Sequence, residues 1–367
     1  MLVLRGMIEV NTFAASKANK WNDLVERNPY ASAYHLWEWG ETLSFTYGYQ
    51  KYYLAATHNH NLVGLFPLVH VQSRIYGNRL ISLPFCEYGG PIADPSLDIE
   101  ETQLIIEALL DAADKLARSL KVQYVETRSP SLGVACDCIT VKGYQDVRSY
   151  VTFRINLSVE LDELWAGLHR KTRNAVRKPM KEGVKVKDVE GTEQLDSYYR
   201  LYLQTQKRHG TPPHDHRLFE RLFDVFSDAG KIRLLMAEYR GNLIGGVIML
   251  RYDETIFWWN NVTDIRHRSL NPTNLLVWKM IEWGAQNGYR TLDLGRTRKG
   301  TAIYHFKSRW GGQEAHLRDF VHFLNSEEKE VPDPSQKKYR YLSKLWSSMP
   351  TSLAKILGPK VRGDAGL

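Results

Sequence analysis

The stretch Ile232-Arg233-Leu234-Leu235-Met236-Ala237-Glu238, Tyr239-Arg240-Gly241-Asn242, Leu243-Ile244-Gly245-Gly246-Val247-Ile248-Met249-Leu250 decides the fold. Two apolar runs flank Tyr239-Arg240-Gly241-Asn242, which is a β-hairpin signal. A third run, Thr255 to Trp259, extends the hairpin to a meander. Downstream, Asn274 to Gln286 reads as a helix, begun at Asn271-Pro272-Thr273 and stopped at Asn287-Gly288. Leu292 to Leu294 is a buried strand, and another strand falls near His316 to Leu324. Upstream, Val151 to Leu157 is a strand. One helix is expected from about Leu161 to Glu182, with Ser158 as its N-cap and Pro179 kinking or ending it. Val184 to Val189 is a strand, and Leu195 to Arg208 and His216 to Phe226 are helices.

The first half alternates strands and helices in the same manner. Lys51 to Thr57, Leu62 to Val71, Leu80 to Leu83 and Val122 to Glu126 read as strands, and Ile99 to Leu120 as an amphipathic helix. Asp137 to Ser149 is polar and turn-rich, so the domain boundary is set there. The expected domains are residues 1–147 and 148–326, with a basic helical extension at 327–367 packing on the N-terminal domain. A chain of 367 residues exceeds what one core usually serves.

Composition narrows the class. With 43% hydrophobic and 25% charged residues the chain is globular. No run of uncharged apolar residues is long enough to cross a bilayer, and Met1 to Val10 lacks the features of a signal peptide. A cytoplasmic location is therefore expected. Cys86, Cys136 and Cys138 make no disulfide framework and no zinc site. No metal is expected. The net charge of +8 asks for an anionic partner. It concentrates between Arg170 and Lys187 and again between Lys337 and Arg362.

Several clusters could carry chemistry. Arg173, Arg177 and Lys181 follow one another at helical spacing, as a docking face for phosphate or RNA or as a solvated helix face. Arg208, ahead of His209-Gly210-Thr211-Pro212, stands where a phosphate could be held, or merely at a helix stop. Trp258 and Asn260 are expected on one strand face opposite Trp259, as core packing or as a substrate wall. Asp293-Leu294-Gly295-Arg296 follows a buried strand, where charged groups usually line a site. It leads through Tyr304 to Phe306 and Lys307, a cation beside an aromatic, suited to steadying a developing oxyanion. Asp293, Glu238 and His305 are the candidate bases. There is no Walker A loop, no GxGxxG, no HExxH and no GxSxG. Arg266-His267-Arg268-Ser269-Leu270-Asn271 also lacks the glycines of an acyl-CoA pyrophosphate loop.

The order meander, helix, strand, helix, strand in the second half is that of a GNAT acyltransferase. The first half has a looser version, which suggests tandem duplication. Leu168 to Lys178 with Glu182-Gly183-Val184 resembles the helix-and-strand opening of FemAB-like proteins. So do Gly245-Gly246, Asn271-Pro272-Thr273-Asn274, and Gly288-Tyr289-Arg290-Thr291-Leu292-Asp293-Leu294-Gly295. Phe306-Lys307-Ser308-Arg309-Trp310-Gly311-Gly312 is similar to that family's aromatic-Lys-x-x-[FW]-Gly signature. The match runs from about Val151 to Leu324 and reaches Pro84 to Pro91 in the first half.

The resemblance implies an α/β (α+β) fold of two tandem GNAT-like domains, each a mixed, mostly antiparallel sheet flanked by helices. It implies transfer of an aminoacyl or acyl group to an amine of a cell-envelope or polysaccharide precursor. Phe306 and Lys307 then match the pair that steadies the acyl ester end of the donor. Asp293 joins them as a catalytic candidate, and Arg208, Arg173, Arg177, Trp258, Asn260, Arg296 and Tyr304 are candidate substrate contacts. No tightly bound cofactor is expected. The anionic acyl donor is aminoacyl-tRNA or acyl-CoA, the acceptor is phosphorylated, and the basic tail is a candidate peripheral membrane contact. The coiled-coil arm of some tRNA-using members is absent. Two other readings stay open: an acyl-CoA-dependent N-acetyltransferase on a sugar or small amine, and a non-catalytic binder of nucleic acid or a membrane surface.

Overall fold

The computed structural model describes residues 8–129, 134–189, 192, 194–324, 331 and 337–366. They form two units. Unit 1 comprises Met1–Tyr150, His316–Pro332 and Arg362–Leu367, and unit 2 comprises Val151–Ala315 and Asp333–Val361.

The elements of the first half are β1 (Glu9–Thr12), α1 (Ala18–Glu26), α2 (Trp37–Tyr47), β2 (Gln50–His58), β3 (Asn61–Ser73), β4 (Gly77–Ile81), β5 (Ile92–Ala93), α3 (Ile99–Ser119), β6 (Tyr124–Ser129) and α4 (Val134–Val141). Next come β7 (Gln145–Asn156), α5 (Leu161–Gly167), α6 (Arg170–Lys181), β8 (Lys185–Val189), α7 (Leu195–His209) and α8 (His216–Phe226). The meander is β9 (Ile232–Tyr239), β10 (Asn242–Tyr252) and β11 (Thr255–Thr263). It is followed by α9 (Pro272–Gln286), β12 (Thr291–Asp293), α10 (Ala302–Lys307), β13 (Gln313–Phe323), α11 (Lys337–Ser348) and α12 (Thr351–Ala365).

The two units repeat one topology. Four antiparallel strands are followed by a helix, a fifth strand parallel to the fourth, and a last antiparallel strand. In unit 1 these are β1-β2-β3-β4, α3, β6 and β13. In unit 2 they are β8-β9-β10-β11, α9, β12 and β7. The expected pair of tandem, mostly antiparallel α/β domains is borne out. The closing strands are exchanged along the chain: β7 follows the first repeat but pairs with β12, and β13 follows the second but pairs with β6.

Each sheet is covered by helices on both faces. In unit 1, α3 turns Ile105, Ile106, Leu109, Leu110, Ala113 and Ala117 onto one face. A reciprocal cap starts this helix, with the Asp98 carboxylate accepting from the Glu101 N–H and Glu101 accepting from the Asp98 N–H. In unit 2, α9 packs Leu275, Leu276, Met280 and Ile281 on the meander together with Val176 of α6. Tyr198 of α7 and Phe219 of α8 cover the opposite face, where Phe219 meets Trp259.

Three local expectations are corrected. The helix expected over 161–182 is two helices, because Leu168 is extended and the His169 ring caps α6 by accepting from the Lys171 N–H. Ser158 does not cap α5, whose N-cap is Glu160. The polar stretch 137–149 is not a linker: it contains most of α4, which buries Cys136, Cys138 and Ile139, and the start of β7. The unit boundary lies inside β7, between Tyr150 and Val151.

Of the C-terminal extension, residues 327–330, 332–336 and 367 lie outside the described residues. Helix α11 lies on α7 of unit 2, with Ser343 against Gly210. The end of α12 belongs to unit 1. There Tyr49 donates to the Gly363 carbonyl, Arg79 to those of Asp364 and Ala365, and Arg128 to that of Gly366. These donors satisfy carbonyls that a helix end leaves without internal partners. The three cysteines are free and buried. Among the described residues no helix is long and apolar enough to cross a membrane.

Candidate functional site

Strands β11 and β12 are parallel neighbours that pair only over Thr255–Phe257 and Thr291–Asp293. β12 then stops, while β11 runs on to Thr263 against β10 alone. The two strands part company at the carboxyl ends of the parallel pair, the place where open α/β sheets hold ligands.

A β-bulge shapes the β11 wall. Asn260 pairs with Ile248 and Trp258 with Met249, so Trp259 is the extra residue. The bulge breaks the two-residue alternation, and this corrects the expectation that Trp258 and Asn260 share a face. Trp258 joins the core beneath α6 and α9. Asn260 points the other way and accepts from the Tyr198 hydroxyl at 2.7 Å.

Lys307 reaches this place from the end of α10. It is 7% exposed, and its Nζ donates to the Gly295 carbonyl at 2.9 Å and the Arg296 carbonyl at 3.2 Å. The same ammonium lies 5.5 Å from the Trp258 ring centroid, within cation–π range. Phe306 stands edge-on to Trp258 at 6.3 Å and to Trp310 at 6.1 Å. The glycines that follow have geometric work. Gly311 takes φ +77°, and a Cβ on Gly312 would sit 3.1 Å from the backbone of Arg154. Only Gly-Gly lets the chain turn there and enter β13.

Asp293 is fully engaged in structure. Its Oδ1 accepts from the Thr152 hydroxyl at 2.5 Å and from the Gly295 N–H at 2.8 Å, and its Oδ2 accepts from the Arg154 Nε at 3.4 Å. In register it pairs with Phe257, on the sheet face opposite Trp258. It therefore anchors the loop that presents the two carbonyls to Lys307. Tyr304 donates to Glu314 at 2.7 Å, which raises the phenol's pKa, and Lys299 reaches the other Glu314 oxygen at 2.6 Å.

The remaining candidates lie elsewhere in unit 2. Arg173 donates to the carbonyls of Ala166 and Leu168 at 2.7 and 2.6 Å, capping the end of α5. Arg177 is exposed, 5.2 Å from the Trp165 ring centroid. Arg208 donates to the Thr263 carbonyl at 3.2 Å, at the far end of β11. Burial and the nearby Arg268 push its pKa down. Glu238 is bound to Lys187 on the sheet edge, and His305 is exposed beside Tyr304. The structure thus brings together Lys307, Phe306, Trp258 and the Arg296 backbone, with Asp293 behind them. It leaves Asn260, Arg208, Arg173 and Arg177 apart. Sequence reading missed Thr152, Arg154 and Glu314. The signal for the first two was present: they are polar and alternate with the buried Val151, Phe153 and Ile155. Among the described residues no group of His, Cys, Asp and Glu is arranged to hold a metal ion.

The site is thus built at the end of a meander–helix–strand unit, with a buried lysine beside its parallel pair. Residues 169–308 match the family model described as an acetyltransferase (GNAT) domain. Over 125 residues the chain is 26% identical to the UDP-N-acetylmuramoylpentapeptide-lysine N(6)-alanyltransferase of Weissella viridescens. The match takes in 34% of this chain and spans only 37% of the relative's length. A crystal structure of FemX superposes with a TM-score of 0.68 at 16% identity, covering 86% of this chain and 98% of FemX. A tandem GNAT protein from the clavulanic acid pathway gives 0.55 at 13% identity, covering 88% of this chain and all of that one (100%). The structural likenesses speak for the fold. The sequence match and the signature from Phe306 to Gly312 make the chain similar to FemAB-like proteins, and residues 169–308 carry the match to the GNAT domain.

Proposed function

We propose that unit 2 transfers an aminoacyl group from the ribose ester of an aminoacyl-tRNA to an amine of a phosphorylated cell-envelope precursor. The observation that carries this reading is the buried Lys307 ammonium, fixed on the Gly295 and Arg296 carbonyls beside Trp258, where β11 and β12 cease to pair. The alanyl transfer printed in the name of the Weissella relative supports it.

In this reading the acceptor amine, having lost its proton to water, attacks the ester carbonyl carbon. The new C–N bond forms, and the C–O bond to the ribose breaks. The ribose oxygen leaves with the electron pair and takes up a proton. Lys307 supplies a fixed positive charge for the oxygen on which negative charge develops. Phe306 and Trp258 wall the acyl group, and Asp293 holds the loop in register. Positioning supplies much of the acceleration, so no protein base is required. The exposed cations Arg177 and Arg208 are candidate phosphate contacts. The reaction belongs in the cytoplasm, where charged tRNA is found.

The GNAT family match favours a second reading, in which acyl-CoA is the donor. The segment between β11 and α9 argues against it. Ile265–Leu270 forms a 3-10 turn in which Arg266 and His267 are tied to Asp264. Helix α9 opens with Pro272, which has no N–H, and the Asn274 N–H is bound to the Asn271 carbonyl. Little is left to cradle a pyrophosphate. Melting the protein against charged tRNA, nucleotide-activated cell-wall precursors and acyl-CoAs decides between them, because ligands of the native state raise the melting point. A shift with tRNA or precursor and none with CoA supports aminoacyl transfer. A shift with CoA alone overturns it.

A further inference from the structure

Of the 15 large apolar side chains that stand exposed among the described residues, six lie between positions 341 and 357. On α11 they are Tyr341, Leu342 and Leu345, and on α12 they are Leu353, Ile356 and Leu357. At 100° per residue each set forms one stripe. Each stripe is turned away from the side that packs, as Ile356 at 73% exposure shows most clearly. The packed sides are already satisfied: Trp346 and Ala354 are buried, Ser343 lies on Gly210, and Gly358 lies on Pro213. The outward stripes are therefore no leftover of packing on unit 2.

Charge identifies the occupant. From Lys337 to Gly363 the sequence holds seven basic residues and no acidic one. Lys344, Lys355 and Lys360 are exposed on the same two helices. An interface between protein copies depletes lysine, whereas apolar residues flanked by lysine suit a helix lying in the headgroup region of an anionic bilayer. At 12 and 15 residues the two helices are too short to span it.

We infer that α11 and α12 form an interfacial docking surface for a membrane rich in anionic phospholipid. The lysines meet phosphate headgroups, and the outward stripes enter the boundary with the acyl chains. This inference stands apart from the acyl-transfer reading, since vesicle binding is read without turnover.

The test is flotation of the full chain with phosphatidylcholine vesicles and with vesicles containing about 30 mol% phosphatidylglycerol, at low and high salt. Binding is expected only to the anionic vesicles and is weakened by salt. Joint Lys344→Gln, Lys355→Gln and Lys360→Gln changes should weaken it about a hundredfold, at roughly fivefold for each cation. Leu345→Asp with Ile356→Asp should abolish it while the melting point stays within about 2 °C, both sites being exposed. Failure of the native protein to float with anionic vesicles overturns the inference, as does equal binding to neutral ones. So does a native dimer, seen by sedimentation, that the Asp pair converts to monomer, because the stripe then belongs to a second copy.

Discussion

Lys307 meets two demands with one ammonium. Its bonds to the Gly295 and Arg296 carbonyls hold the loop, and its charge faces the Trp258 wall. Replacing it with Met removes both. Loss of a charge aimed at a developing oxyanion costs about 10²–10³ in kcat, and loss of the buried bond to the Gly295 carbonyl costs about 1–3 kcal/mol in stability. Lys307→Met is therefore expected to lower turnover far more than acceptor affinity, with a reduced melting point. Equal losses in turnover and affinity, or none in either, would refute the role. Asp293→Asn separates positioning from chemistry. It keeps an acceptor for Thr152 or Gly295 but loses the charge facing Arg154. A drop of about tenfold in kcat, with the shape of the pH–rate profile unchanged, is expected of an anchor. Loss of the profile's rise on the acidic limb would instead mark a general base.

At the level of elements, α6 shows how one basic stripe divides its labour. Arg173 is drawn back to cap α5, and Arg177 lies over Trp165 on the exposed face. Arg173→Ala should destabilise unit 2 by about 1.5–3 kcal/mol, as loss of charged hydrogen bonds does. Arg177→Ala should leave the melting point nearly unchanged and lower the salt slope of tRNA binding by about one contact. Titrations at several salt concentrations check both. The sequence carried the stripe but not the division, because the turn at Leu168 and His169 that creates the cap falls inside a continuous helical pattern. The meander was legible from its turn at Tyr239-Arg240-Gly241-Asn242 and its apolar runs. The bulge at Trp259 was not, since alternation alone put Trp258 and Asn260 together. It takes the register against Ile248 and Met249 to separate them. The Phe306 to Gly312 signature was legible as a pattern. Its reason, Gly312 pressed on the Arg154 backbone, depends on a strand more than 150 residues earlier in the chain.

For the molecule as a whole, unit 1 holds a buried charge network that sets its behaviour in acid. Glu126, Asp319, Arg128 and Arg148 are all buried, and Arg148 bridges both acids at 3.0–3.2 Å. Burial alone would raise the Glu126 pKa, but Arg148 and Arg128 outweigh it and hold it below the usual range. A carboxylate depressed in the folded state contributes fully above its unfolded value, about 4.3. That contribution is lost as pH falls through the folded value. Acid titration below about pH 4 should therefore weaken unit 1, read by fluorescence and calorimetry. Arg148→Met, which removes the ion pair to Asp319 and one of the two arginines on Glu126, should cost about 3–5 kcal/mol at neutral pH.

The exchange of closing strands makes a stronger claim about the chain. β6 needs β13, which arrives only after the second repeat, and β12 needs β7, which leaves the first. Neither fact was visible in the sequence, where the halves read as successive domains split near residue 147. A fragment of residues 1–150 would expose the edge of β6, whose Glu126, Thr127 and Arg128 are buried in the intact chain. It would leave Arg148 without Asp319. An open apolar edge with an unbalanced buried charge is expected to aggregate. The same fragment extended through a short linker by residues 316–324 regains β13 and should be soluble, with a cooperative melt. Solubility of the unextended fragment, with native-like circular dichroism, would show that the strand exchange is dispensable. Rescue by the added strand would show that the two repeats fold as one interlaced chain.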